Sequence, residues 1–375
     1  MKAGGFLAMK RFLCLYGVIL GLLFLPSCGP EEPPIGPVEY GDLFENLADN
    51  MIIPRYAKFQ SNLLALQTGL STFDASDVQS LTFLQEQFNA TYLSWQSVSA
   101  FEFGPAAEYS ALLRINCNSF PANPFTIEEN IQIGTYNLDF PSNYQAKGLP
   151  ALDYLLFHAD QNQLLIELND PSRIAYLQDC LADMQGRVDE VVNAWDSYRD
   201  IFISSYGNDQ SSSLSLIFNY FLYDYEQIKR NKFALPAGFA TSFGIPISMD
   251  TSKLEGLYSA SSLELISANL RALEDLYLGV GENGIDGIGI YEILKAYNAV
   301  STVVEGDLSE AIANQFIICK ELVNQFSNDL PYEIVNNISQ VQEASNELQK
   351  MVPMIKNDMR SYFSVTVTLG DSDGD

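Results

Sequence analysis

The sequence predicts an all-α protein made of two packed helical bundles in a duplicated arrangement. Three observations predict it. Apolar residues recur at three- and four-residue steps along most of the chain. The segments between those stretches are short and rich in Pro, Gly, Asn or Ser. The alternation of a half-buried strand occurs only near Phe363-Ser364-Val365-Thr366-Val367-Thr368. The chain has 375 residues, 47% of them hydrophobic, which is enough for a sizeable core. At roughly 150 residues per domain, that length suits two domains.

The first element is an address. Residues 1–27 read as a signal peptide, with Lys2, Lys10 and Arg11 as its basic region and Phe12 to Leu25 as its apolar run. Met1 and Met9 are both candidate starts. Leu25-Pro26-Ser27-Cys28 resembles the lipobox of bacterial lipoproteins, which implies lipidation of Cys28. The expected location is then the cell envelope, anchored by lipid to the outer membrane, on its periplasmic or cell-surface face. Residues 28–39 are too dense in proline and glycine for helix or paired strand, so they read as a stalk.

The N-terminal bundle is expected over 40–205. Leu43, Leu47, Met51 and Ile52 start a helix that Pro54 should kink or break. Tyr56 to Leu70 continues it, and Ser71-Thr72-Phe73-Asp74 reads as a turn. Asp77 is placed to cap the next helix, whose stripe is Leu81, Leu84, Phe88, Tyr92 and Trp95. The longest helical stretch is 172–204. A boundary at 205–212 divides this bundle from a C-terminal one over 206–375. Its helices are expected at 213–232, 261–278, 310–326 and 339–354, and non-helical segments at 117–125, 135–147 and 233–250.

Charge and residue counts exclude several chemistries. A net charge of −27 repels nucleic acid. It also repels anionic phospholipid, so membrane attachment would depend on the acyl chains. A single histidine, His158, excludes a three-histidine zinc site and the HExxH helix, and makes a catalytic triad depend on one residue. His158 itself reads as a helix-end residue. No CxxC occurs, and Cys117, Cys180 and Cys319 read as small buried hydrophobes, with one disulfide open to them. Gly279-Val280-Gly281-Glu282-Asn283-Gly284 matches GxGxxG but follows a helix, so it reads as a glycine cap and loop. Asp371-Ser372-Asp373-Gly374-Asp375 stops before a calcium loop would be complete, and reads as a solvated tail.

The most distinctive segments are Trp95, Phe101-Glu102-Phe103-Gly104-Pro105, Arg114, Pro121 and Gly148-Leu149-Pro150-Ala151-Leu152-Asp153-Tyr154-Leu155-Leu156-Phe157. In this order they resemble the imelysin-like family of exported bacterial proteins. Ser213-Leu214-Ser215-Leu216, Asp224-Tyr225-Glu226, Leu276-Tyr277-Leu278-Gly279 and Asp286-Gly287-Ile288-Gly289 extend the resemblance over nearly all of 40–375. The family's GxHxxE motif implies a metal held by His and Glu three residues apart. Here Pro150 stands in the place of the His and Asp153 in that of the Glu, and proline has no donor to offer.

The resemblance implies either a peptidase or a component of iron uptake, and the first loses its main residue. The favoured expectation is a non-catalytic lipoprotein that binds iron or haem in a pocket between the halves. Arg114 would pair with Asp153 or bind an anion, and Glu102 and Asp224 would stand in the pocket wall. The alternatives are a degenerate metallopeptidase using Glu102 and Asp153, and a scaffold that binds a partner protein of the envelope or of iron uptake.

Overall fold

The computed structural model describes residues 39–242 and 244–369, and all of these are organised around helices. The signal peptide, Cys28, the stalk up to residue 38 and the acidic tail lie outside the described residues.

The first helix shows why proline does not always break one. Gly41–Asn46 is α-helical, Leu47–Ile52 is a π-helix, and Ile53–Ser71 is α-helical again. Pro54 lies in the first turn of the last segment, where a missing N–H is tolerated. The wider π turn ahead of it lets the helix continue, so the expected break does not occur. Asp77 caps Val78–Val98 by accepting from the Gln79 N–H, as its position predicts. The 34-residue helix Pro171–Ser204 is capped in the same way by Asp170. These long helices pack along apolar stripes, with Phe59 against Trp95 and Phe44 against Phe202.

Residues 205–212 form the turn between Pro171–Ser204 and Ser213–Glu226. The apolar core passes across this turn and runs from Leu43 to Val365. The second half contributes Ser213–Glu226, Ser262–Leu278, Leu308–Asn324 and Ile338–Pro353. Two of its helices end in π turns, Gln227–Ala234 and Met354–Met359. The alternating segment near 363–368 forms no ladder: Arg360–Phe363 is helical, Ser364 is left-handed, and residues 365–368 have no regular structure, with Asn219 bonding the Thr366 carbonyl and the Thr368 N–H. Its alternation is one of burial, with Phe363 and Val365 buried and Ser364 and Thr366 exposed. The described strands are the two-residue pair Thr241–Ser242 and Ile245–Pro246.

Gly279 ends Ser262–Leu278 in the left-handed conformation, as a cap glycine should. The loop after it is fixed by Asn46, which donates to the carbonyls of Gly279 and Ile288. The GxGxxG match is therefore a structural junction between the first helix and the second half. The three cysteines are buried and free. His158 ends its helix, and its ring meets the Tyr154 carbonyl and Glu167. Among the described residues, no helix is long and apolar enough to cross a membrane.

Candidate functional site

The site starts from a short helix, Leu113–Cys117, which carries Arg114. Leu112, just before it, holds φ at +41°, a strained value for a leucine. That turn aims Arg114 inward beneath Val98–Phe103. Glu102 accepts from the Arg114 backbone N–H at 2.9 Å and from its Nε at 2.6 Å. One carboxylate thus satisfies an orphan N–H of the helix start and the Nε–H of the guanidinium.

Asp224 enters from the other half of the chain. It projects from Ser213–Glu226 and is fully buried. Its Oδ1 accepts from Arg114 Nη2 at 2.7 Å. Its Oδ2 accepts from Ser99 Oγ at 2.9 Å and Asn269 Nδ2 at 2.7 Å. Arg114 Nη2 also donates to the Ser99 carbonyl. The Tyr223 ring lies 5.2 Å from the guanidinium carbon, within cation–π range. Burial opposes the charge of Arg114, but Glu102 and Asp224 outweigh it and hold the guanidinium above its ordinary value. Burial pushes the Glu102 carboxyl up, against the pull of Arg114.

A second buried cluster adjoins the first through Asn269. Lys232 donates to Asn269 Oδ1 at 2.7 Å and to Gln96 Oε1 at 2.6 Å, and pairs with Glu255 at 2.9 Å. Glu255 also accepts from Gln96 Nε2 and Asn118 Nδ2. The result is one polar seam between the halves, with nearly every charge paired and hydrogen-bonded.

Asp153 stands apart from this seam. It lies in the middle of Gly148–Phe157 and does not pair with Arg114. Its two oxygens accept from the backbone N–H groups of Tyr258 and Ser259, at 3.0 and 2.9 Å. Burial raises its carboxyl to about 6, although those N–H groups pull it down; nearby Glu255 adds to the rise. So the sequence-chosen residues divide: Arg114, Glu102 and Asp224 meet, and Asp153 ties its helix to the 258–259 loop. The seam also uses Gln96, Ser99, Lys232, Glu255 and Asn269, which motif reading passes over.

The metal implied by a GxHxxE motif does not fit these residues. Pro150 is buried in the first turn of its helix with no donor. Asp153 and Glu102 are each engaged by N–H donors. Among the described residues, no group of three or more His, Cys, Asp and Glu side chains is placed to share a metal ion.

Over Arg114 lies an open cleft of about 760 Å³. Its wall comes from both halves: Arg114, Asn118, Phe120 and Tyr144 on one side, Tyr223, Gln227, Asn231 and Lys253 on the other. The π turn Gln227–Ala234 supplies two of these, and such turns commonly shape binding sites.

Two solved structures are similar to this fold. One, from Parabacteroides distasonis, is described as an iron-regulated protein A precursor; it is 16% identical with a TM-score of 0.68, covering 86% of this chain and 94% of that one. The other is an imelysin-like protein from Psychrobacter arcticum, 17% identical with a TM-score of 0.62, covering 88% and 96%. No curated protein matches the sequence. Residues 52–350 match the model of the imelysin family, peptidase M75, and with that span of its helices covered the chain belongs to the imelysin family.

Proposed function

We propose that this protein is a non-catalytic binding component of the cell envelope, anchored to the outer membrane through a lipid on Cys28, that holds an iron-bearing ligand or haem. The observation that carries the reading is the cleft over Arg114. It is built by both halves, it has a charged floor locked by Glu102 and Asp224, and its volume suits a small organic ligand. The substitution of Pro150 for the family His supports binding over hydrolysis, because the residues left at that motif are fully engaged. The iron-regulated description of the structural neighbour supports iron as the theme. The ordered basic, apolar and cysteine elements of residues 1–28 support the anchor.

Two experiments test this. Haem and a ferric chelate are titrated into the soluble chain from residue 38 on, which retains a core that begins at Leu43. Saturable one-to-one binding of either is the expected result, and binding of neither removes the iron reading. In cells, the Cys28→Ser variant should lose acyl labelling and leave the membrane fraction. Retention of both would remove the lipoprotein reading.

A further inference from the structure

The cleft over Arg114 has an unusual wall for so acidic a protein. The sequence carries 47 Asp and Glu residues, yet the described lining contains no Asp, Glu, His or Cys. It contains Arg114, Lys253 and a set of side-chain amides. Glu102 and Asp224 sit behind the guanidinium and take its Nε and Nη2. Nη1 is the guanidinium nitrogen with no acceptor among the described residues, on a side chain that is 11% exposed where it lines the cleft. Lys253 is loosely held, with Asp250 at 3.8 Å, and a third of its side chain is exposed. Gln227 accepts from Asn231 through Oε1, which leaves its amide N–H groups as donors on the same wall.

We infer that this cleft selects a carboxylate-bearing organic anion and takes iron only as the complex of such an anion, not as a bare cation. This rests on the proposal that the cleft is the binding site. Carboxylates, imidazoles and thiolates, the usual holders of a bare ferric or divalent ion, are absent from the described wall. It offers the Tyr144 and Tyr223 phenols and side-chain amides, but Arg114 and Lys253 beside them repel a cation, and burial holds the Tyr223 hydroxyl above its ordinary value, against ionisation. A carboxylate finds the two free N–H groups of Nη1, already oriented by the bonds behind it, and an ammonium across the gap. Glu102 and Asp224 more than cancel the charge of Arg114, so its attraction comes only from the directed N–H groups of Nη1, and Lys253 supplies the positive pull on this wall. The strongly negative remainder of the chain would repel an anion elsewhere.

The probes are citrate, its ferric complex, triethyl citrate as an uncharged analogue, and Mn²⁺ as a bare cation, titrated calorimetrically into the chain from residue 38 on. The expected result is one site for citrate and ferric citrate, with neither triethyl citrate nor Mn²⁺ bound at the same concentrations. Lys253→Glu and Asn231→Asp each place a carboxylate in the wall at partly exposed positions, and each should weaken citrate at least tenfold. Equal binding of triethyl citrate, no binding of citrate, or indifference to both substitutions would overturn the inference. Haem or ferric chelate bound with no response to either substitution would overturn it and leave the proposed function standing. Citrate bound in this cleft without its ferric complex would uphold the selection of a carboxylate anion and overturn the uptake of iron as its complex.

Discussion

Asp153 and Lys232 are both buried, and each is held by named hydrogen-bond partners. The Asp153 carboxyl is raised from 3.8 to about 6, so the fold binds its proton more tightly than the unfolded chain does. Its contribution to stability is therefore full below about pH 4 and is lost as pH rises through 6. A shift of that size corresponds to about 3 kcal/mol. Carboxyl NMR should place the Asp153 titration near pH 6; a midpoint near 4 would show that its two N–H partners outweigh burial. Relative to Asp153→Asn, the wild type should lose stability between pH 4 and 6.5. Lys232 is paired with Glu255 and bonded to Gln96 and Asn269. Removing it alone strands a buried carboxylate, so Lys232→Met should cost about 3–5 kcal/mol in denaturant unfolding. The double variant Lys232→Met with Glu255→Leu should recover a large part of that loss, and a purely additive double variant would show that the pair is not coupled.

Among the elements, Gly148–Phe157 shows what the sequence disclosed and what it hid. Gly148 sits at φ +72°, and a Cβ there would fall against the Cys117 carbonyl. Glycine at this point is therefore a packing requirement: it lets the helix start against the end of Leu113–Cys117, which carries Arg114. Gly148→Ala should destabilise the protein by more than about 1 kcal/mol and loosen the Arg114 site, read as weaker ligand binding. Unchanged stability would mean the two helices separate without cost. Helix positions and the Asp77 cap were legible because apolar spacing and cap chemistry are local. The passage through Pro54 was not, because the π turn that permits it has no sequence signature. Gln96, Ser99 and Asn269 left a faint one. Each occupies an apolar stripe position, with Asn269 four residues after Leu265 and four before Leu273, where a polar side chain must find a buried partner. Arg114, Glu102 and Asp224 were singled out through resemblance. Their meeting depends on two helices far apart in the chain, which no local pattern encodes.

At the scale of the molecule, one core from Leu43 to Val365 holds both halves, and a seam of paired charges fixes how they meet. That arrangement has both halves lining the cleft over Arg114, the proposed binding site, while Pro150 and the bonds to Asp153 leave no metal-holding pair at the GxHxxE-like segment. The central claim is binding at the cleft without a metal at the motif. Equilibrium dialysis of the chain from residue 38 on, against zinc, ferric citrate and haem in parallel with Asp153→Ala, tests it most directly. The expected result is no stoichiometric zinc, together with saturable ferric citrate or haem that Asp153→Ala leaves unchanged. Stoichiometric zinc retained by the wild type and lost in Asp153→Ala would instead show a metal site at Asp153 and overturn that reading.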